Sequence, residues 1–185
     1  MTQNVIKEEV FALNEKVHNS CQTIFKTKEE MLDRNNFVRS NDGDPDLIIY
    51  IPFNSQVNIK SMTVIGGEDG SSPAKVKLFT NKNENVVDFD LKDLPATHEI
   101  TCIENREGRV SYFLPPNKFN AVWSLIFVVT LNHLADHTKV YYVGFEGSDK
   151  HKREKFKLEL MSKTKFPEIS VVKDEPNFRT DTIYG

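Results

Sequence analysis

The sequence predicts an all-β domain, built as a β-sandwich or a jelly roll. Short segments rich in β-branched and aromatic residues recur along the chain, and Gly, Pro and Asn turns divide them. No long amphipathic helix lies between these segments, so a βαβ layout is poorly supported. The predicted strands are residues 47–53, 57–65, 74–80, 99–103, 109–114, 122–131, 139–145 and 156–161.

Local signals position several of these strands. Pro52 cannot donate to a ladder, so we expect it at a strand end or on an edge. The glycine-rich residues 66–70 carry two carboxylates and predict a hairpin or a sheet-crossing loop rather than a phosphate site. Residues 122–131 are apolar on both faces, which predicts a central strand with Trp123 in the core.

The two ends of the chain carry weaker signals. Apolar residues from Ile6 to Cys21 recur at helical spacing, but strand-favouring residues and two asparagines interrupt them. We therefore expect a short N-terminal helix or an irregular wrapping arm. Residues 166–185 hold prolines and charges with few apolar groups, which predicts a C-terminal tail draped on the surface or loose. The whole chain, 1–185, is expected to form one domain with its core in about residues 8–165.

Composition excludes several classes of protein. The formal charge is −3 with 28% charged residues of both signs, which argues against a nucleic-acid-binding domain. The longest apolar run, residues 121–131, is too short to span a bilayer, which needs ~20 residues. Residues 1–9 lack the apolar stretch of a signal peptide. We expect a cytoplasmic or nuclear monomer that binds neither nucleic acid nor membrane.

Catalytic and redox motifs are weak. Cys21 and Cys102 lie far apart without a CxxC pattern, so we expect buried or half-buried free thiols. The carboxylates of Asp88 and Asp90 could serve acid–base chemistry, but such pairs occur by chance on most surfaces. Because no nucleophile, base and orienting group can be assembled, we expect no enzyme and no cofactor.

Two possible metal motifs fail on spacing. The run DGDPD at residues 42–46 opens like a calcium loop, but the sixth and twelfth positions hold Leu47 and Phe53. An acidic turn is expected there, with a weak calcium site as the alternative. His133 and His137 are four apart, but in a predicted loop this spacing does not place them on one face. We therefore expect no metal site.

One charged segment is a candidate partner-binding surface. Five basic residues stand close together against two acidic ones: Lys150, Lys152, Arg153, Lys155 and Lys157. A solvated loop entering a strand is the simpler interpretation, and a patch that faces a partner is the alternative. We retain the five residues as the predicted contact surface.

Several segments together resemble the PITH domain. They are DGDPDLIIYIPF at 42–53, VNIKS at 57–61, SPAKVKLF at 72–79, VDFD at 87–90 and TKVYYVGFEG at 138–147. The similarity runs over about residues 8–165 in matching order and spacing, which a single short motif could not provide.

The resemblance implies a jelly-roll sandwich of the galactose-binding-like type. It also implies association with the regulatory particle of the 26S proteasome or another regulatory complex. Members that do redox work carry a thioredoxin domain with a CxxC upstream, and this chain leaves no room for one before its first segment, so we expect the stand-alone type. The expected function is a non-catalytic protein-interaction module. The alternative is a domain that binds a small ligand or a carbohydrate.

Overall fold

The computed structural model describes residues 1–152, with only the backbone for the last three. The described residues form eight strands, and short 3-10 helices join or precede them. The strands are β1 (Phe11–Leu13), β2 (Val38–Arg39), β3 (Leu47–Gly66), β4 (Pro73–Thr80), β5 (His98–Thr101), β6 (Tyr112–Phe113), β7 (Val122–Asn132) and β8 (Lys139–Lys152). The 3-10 helices are Thr2–Asn4, Lys7–Glu9, Ser20–Ile24, Glu84–Val86 and Phe89–Lys92. The predicted strand at 156–161 and the predicted tail at 166–185 lie outside the described residues.

Strand β3 organises the sheet. All its neighbours run antiparallel to it, and the strand order along the main path is β2-β8-β3-β7-β4-β5. Residues 47–52 of β3 pair with β7 and, on the other side, with β1. Residues 55–66 pair with β8 and β6. The sheet therefore folds over at β3 into two layers that share this strand, which is the predicted sandwich.

The two strands predicted at 47–53 and 57–65 are one continuous strand. Pro52 lies inside it, opposite Ser124, and not at a strand end or on an edge as predicted. The register against β7 shifts between Pro52 and Val57. A bulge is one of the few places in a sheet that accept proline, because the ladder is already interrupted there. The bulge also marks the place where β3 passes from one layer to the other.

The N-terminal segment is an arm and not an α-helix. The chain alternates between short 3-10 turns and extended stretches, and Phe11 pairs with Tyr50 across β1 and β3. Val5 also forms an isolated bridge with Phe53. The helical spacing of apolar residues was therefore misleading, because a strand edge was available to satisfy the backbone. No helix in the described part of the chain combines the length and apolar character needed to cross a membrane.

The large apolar cluster lies between the two layers. It draws side chains from every strand that faces the interior, including Ile49 of β3, Phe127 of β7 and Phe145 of β8. Phe53 and Phe145 meet edge to face with ring centroids 5.7 Å apart, a favoured aromatic geometry. Burying many such side chains is the main source of stability for the fold.

A small apolar cluster covers the outer face of the β3–β7 layer. It consists of buried side chains from the opposite faces of β3, β4 and β7 and of one residue from the helix Phe89–Lys92: Ile48, Tyr50, Phe79, Ile126 and Val128, with Leu91. This second cluster is why the central strands are apolar on both faces, as predicted for residues 122–131. Trp123 belongs to neither cluster and is only partly buried, so the core position predicted for it is wrong.

The loop after β3 crosses between the layers. β3 ends at Gly66 in one layer, and β4 begins at Pro73 in the other, where it pairs with β7 and β5. Gly70 lies inside this loop with φ +81 and close to the carbonyl of His133. A side chain there would be strained and would collide with backbone. This confirms the sheet-crossing alternative of the sequence prediction.

Candidate interaction surfaces

The predicted basic contact surface lies at the end of the described chain. Strand β8 reaches Lys152, whose backbone pairs with Ser55 of β3, so the backbone of Lys150 and Lys152 lies in a strand. The sequence placed this stretch in a loop, and the strand is longer than the predicted 139–145. Arg153, Lys155 and Lys157 lie outside the described residues, and the contact surface stays a prediction.

Both thiols are buried in the large apolar cluster. Burial raises the pKa of Cys102 to about 11, while a hydrogen bond with Tyr112 acts in the opposite direction. Burial, followed by the nearby Glu15 carboxylate, raises the pKa of Cys21 as well. A thiol that stays protonated is neither a nucleophile nor a good metal ligand. The prediction of buried free thiols is confirmed.

The carboxylates of the predicted acidic turn point to different partners. Asp42 pairs with Lys16 and Arg39, and these contacts lower its pKa. Asp44 instead accepts a hydrogen bond from the Asp46 backbone. Carboxylates that are already bonded in this way do not converge on a common calcium ion.

One cluster of possible metal ligands does form near the turn. Asp42, Asp136 and His137 bring ligand atoms within 4.8 Å of one another. His133, the other half of the predicted histidine pair, is not part of it. The charge of Asp42 is already balanced by its lysine and arginine partners, so the cluster offers a cation little net attraction.

A polar cavity lies on the outer face of the β3–β8 layer. It encloses about 530 Å³ between the N-terminal arm, residues 27–31 and the two strands. The Tyr142 ring lies across Gly144 on its floor, and its hydroxyl occupies the space that a side chain at 144 would need. Burial raises the pKa of Tyr142, and the carboxylates of Glu146 and Glu29 add to the effect.

Most of the polar groups around this cavity already have partners. The hydroxyls of Thr63 and Ser111 lie 2.6 Å apart. Glu146 accepts from Lys28 at 3.3 Å and from Ser61 at 3.4 Å. A ligand would have to compete with these contacts in order to bind. The cavity is large enough for a small molecule, but most of the polar groups around it are already bonded to other groups of the protein.

An apolar groove lies beside the small apolar cluster, on the connection between β4 and β5. It encloses about 740 Å³. Its floor and walls are formed by residues of one sequence segment with the end of β4: Phe79, Lys82, Val86, Asp88, Asp90, Leu91, Leu94, Pro95, Ala96 and Thr97. We refer to residues 81–97 as the groove segment.

The groove segment is held firmly against the sheet. Leu91 is only 4% exposed and packs into the small cluster. The Lys77 ammonium donates to the carbonyls of Lys92 at 2.7 Å and Leu94 at 3.0 Å. At the far end the Lys118 ammonium donates to the Thr97 carbonyl at 2.8 Å. These bonds fix the backbone of the segment, so the shape of the groove is set by the fold.

The groove segment combines exposed apolar groups with carboxylates; Val86, Leu94, Asp88 and Asp90 among them line the groove itself. Val86 is 44%, Phe89 47% and Leu94 49% exposed, high values for large side chains on a tethered segment. Four acidic residues share the same segment and are exposed: Glu84, Asp88, Asp90 and Asp93. Within the described residues none of the four makes an ion pair, and Asp88 accepts only the backbone N–H of Asp90.

Sequence reasoning did not find this groove. It noted Asp88 and Asp90 only as a chance pair and as part of the family-like VDFD stretch. The usable signal was the alternation of apolar and acidic residues at 84–94 without strand or helix periodicity. Such a pattern between two strands predicts a loop that cannot bury all of its apolar residues.

Comparison with known proteins identifies the family of the chain. A family model described as PITH domain matches residues 1–165. A PITH domain-containing protein of Caenorhabditis elegans is 36% identical over 151 residues, which cover 82% of this chain and 71% of that protein. PITH domain-containing protein 1 of Dictyostelium discoideum is 38% identical over 138 residues, which cover 75% and 67%.

Solved structures share the fold at low sequence identity. The CBM32-1 and CBM32-2 domains of Clostridium perfringens ZmpB, in complex with GalNAc, align with a TM-score of 0.54 and 14% identity, covering 80% of this chain and 36% of that chain. A family 32 module of NanJ from the same organism, in complex with galactose, aligns with a TM-score of 0.51 and 10% identity, covering 77% and 97%. The sandwich is therefore of the galactose-binding-like jelly-roll type. The family model and the relatives show that the chain belongs to the PITH domain family.

Proposed function

We propose that the protein is a non-catalytic protein-interaction module. The observation that carries the proposal is the apolar groove, where Val86 and Leu94 stay about half exposed on a segment tethered to the sheet. Clustered exposed apolar groups with a polar rim are typical of interaction surfaces. The buried, protonated thiols support the non-catalytic part of the proposal, since they are not available as nucleophiles.

The resemblance to the PITH family suggests the partner. We propose association with the regulatory particle of the 26S proteasome or with another regulatory complex. The protein is expected to act as a monomer in the cytoplasm or nucleus, without nucleic acid or membrane as its target. Its formal charge of −3 lacks the basic excess that favours binding to either.

Affinity purification with crosslinking tests this proposal. The tagged full chain is used as bait in cell extract under conditions that keep the 26S proteasome intact, and the tag alone is the control. We expect reproducible enrichment of a defined protein partner, with proteasome regulatory-particle subunits as the first candidates. If nothing is enriched above the tag control, the proposal is wrong. Enrichment of a different defined partner would support the interaction function and exclude the proteasome as the partner.

The predicted basic surface is tested in the same experiment. Replacing Lys152, Arg153 and Lys155 with alanine is expected to weaken partner capture, while the melting temperature stays nearly unchanged. The matched control replaces Lys7, an exposed lysine of the N-terminal arm, with alanine. Unaltered capture by the triple variant would place the contact surface elsewhere.

A second candidate function is the binding of a small ligand or a carbohydrate. The polar cavity of about 530 Å³ beside Tyr142 favours it, since pockets of this size accept small molecules. A glycan array and a calcium titration followed by thermal shift test it. A raised melting temperature that Tyr142→Phe reduces would support this function, and no response in either experiment would remove it.

A further inference from the structure

The partner of the apolar groove can be specified by its chemistry. We infer that the groove accepts a partner protein's segment in which a large apolar side chain is flanked by lysine or arginine. This inference rests on the proposed interaction function and deepens it. It concerns a surface different from the basic residues 150–157.

The apolar part of the occupant follows from the groove floor. Phe79 and Leu91 close the bottom, and Val86, Leu94 and Pro95 form walls that solvent still reaches. A side chain such as Leu, Met or Phe entering this space removes apolar surface of both partners from water. Because the segment is already tethered, little conformational entropy is lost when it binds.

The charged part of the occupant follows from the rim. Asp88 and Asp90 line the groove, and Glu84 and Asp93 lie within a few residues of them on the same segment. None of the four forms an ion pair with a described residue. Of the lysines whose ammonium groups lie near the segment, Lys92 donates to Asp46 at 2.8 Å, and Lys77 and Lys118 donate to backbone carbonyls of the segment. That leaves Lys82 on the groove wall against four carboxylates. The groove segment thus carries four exposed carboxylates against two lysines, and this excess of negative charge attracts basic flanks on a partner.

The same charge pattern argues against other occupants. An acidic protein segment or a nucleic acid would bring like charges together on the rim. An anionic membrane surface would be repelled for the same reason. A segment that is apolar without basic flanks would leave the rim carboxylates without partners. A basic-flanked apolar segment is the occupant that matches both the floor and the rim.

A displayed peptide library tests this inference without knowledge of the partner. The folded full chain is immobilised and selected against a random-peptide phage library. We expect enriched sequences to contain a large apolar residue with lysine or arginine within a few positions. Peptides from that set are then synthesised and titrated against the wild type and the variants.

Two groove variants separate the apolar and the charged contributions. Leu94→Ser is expected to weaken binding about tenfold or more, as for a central apolar contact. Asp90→Asn with Asp93→Asn is expected to weaken binding several-fold and to flatten its dependence on salt, because rim charges are screened by ions. Asp88 is left unchanged, since it caps the helix Phe89–Lys92.

Matched controls use exposed residues of the same types away from the groove. Leu134, fully exposed between β7 and β8, is replaced by serine, and Glu8, exposed on the N-terminal arm, is replaced by glutamine. Neither change is expected to alter peptide binding. Thermal unfolding of every variant confirms that the fold is retained.

The outcomes distinguish this inference from the proposed function. Acidic or purely apolar consensus peptides, an empty selection, or binding insensitive to both groove variants would overturn the inference. If crosslinking of the free chain joins the groove to its own residues 150–157, and their triple alanine variant exposes the groove to peptides, the occupant is internal and the inference is also wrong. If wild type and Leu94→Ser capture a partner equally, the proposed interaction function still holds, but the groove is not the surface that binds the partner. Failure to capture any partner rejects the interaction module itself.

Discussion

The two apolar clusters of the sandwich are built on the same strands but differ in how far they are closed to solvent. The large cluster lies between the layers and is closed on every side by buried residues such as Ile49 and Phe127. The small cluster lies outside one layer and, among the described residues, is covered by the groove segment and strand β1. Its buried contacts continue through Leu91 into a groove whose walls remain exposed. The closed cluster therefore serves stability alone, whereas the open cluster joins stability to a surface that can bind.

The largest effect is expected in the closed cluster. Phe127 is fully buried between Ile49 and Leu78 on the neighbouring strands. Phe127→Ala leaves a cavity there and is expected to lower the free energy of unfolding by about 3–5 kcal/mol. Urea denaturation followed by fluorescence measures the change. A loss below about 1 kcal/mol would show that this cluster is less tightly packed than the structure indicates.

Leu91 sharpens the comparison because it belongs to both a buried cluster and a binding surface. Leu91→Ala is expected to lower the free energy of unfolding by about 2–3 kcal/mol, near the small end of such changes, since the groove segment can relax. It is also expected to weaken binding of the selected peptides, because the groove floor is altered. Denaturation and peptide titration on the same variant measure both effects. Loss of stability with unchanged binding would separate the small cluster from the groove.

The thiols report whether the large cluster is closed. Burial raises the pKa of Cys102 to about 11 in the folded protein, while in the unfolded chain the thiol titrates near its ordinary value of about 8.5. Below that value both states keep the proton. Above it the unfolded state alone loses the proton, so the free energy of unfolding should fall as the pH rises from about 8.5 towards 11. The free energy of unfolding of the Cys102→Ala variant should fall less steeply over this pH range.

The difference between wild type and Cys102→Ala isolates the Cys102–Tyr112 pair, because the other lysine and tyrosine titrations are common to both proteins. Urea denaturation at pH 7.5, 8.5 and 9.5 provides the measurement. Parallel curves for the two proteins would mean that the thiol is accessible to water in the folded state and that the cluster is open at that point.

The smallest change in stability is expected at the groove wall. Leu94→Ser and Val86→Ser alter exposed side chains and should change the free energy of unfolding by about 0.5 kcal/mol or less. The same variants should have large effects on binding. A stability loss like that of Leu91→Ala would make the exposed residues part of the structural core and would remove the distinction between groove and cluster.

The sequence predicted the closed part of the fold better than the open part. Residues 122–131 are apolar on both faces, and this pattern has one simple structural solution, a central strand. The continuity of β3 through Pro52 was missed because proline is read from the sequence as a local strand end. The bulge that accepts Pro52 depends instead on pairing with a distant strand. Trp123 was misplaced because its strand is apolar, but its own position lies outside both clusters.

The groove was beyond the reach of local patterns for a related reason. Leu91 and Leu94 are identical residues three positions apart, yet one is buried and the other half exposed. Which of them is covered depends on how the groove segment lies on the outer face of the sheet, and that face is assembled from β3, β4 and β7. The basic segment 150–157, by contrast, stands out by charge count alone and was selected from the sequence for that reason.

Zero-length carbodiimide crosslinking of the captured complex tests the central claim most directly. The reagent joins carboxylates to lysine amines that are already in ion-pair contact. We predict amide links from Glu84, Asp88, Asp90 or Asp93 to lysines of the partner, and their loss in Leu94→Ser. Links that form only at carboxylates away from the groove, such as Glu8 or Asp69, and that persist in Leu94→Ser would contradict the account.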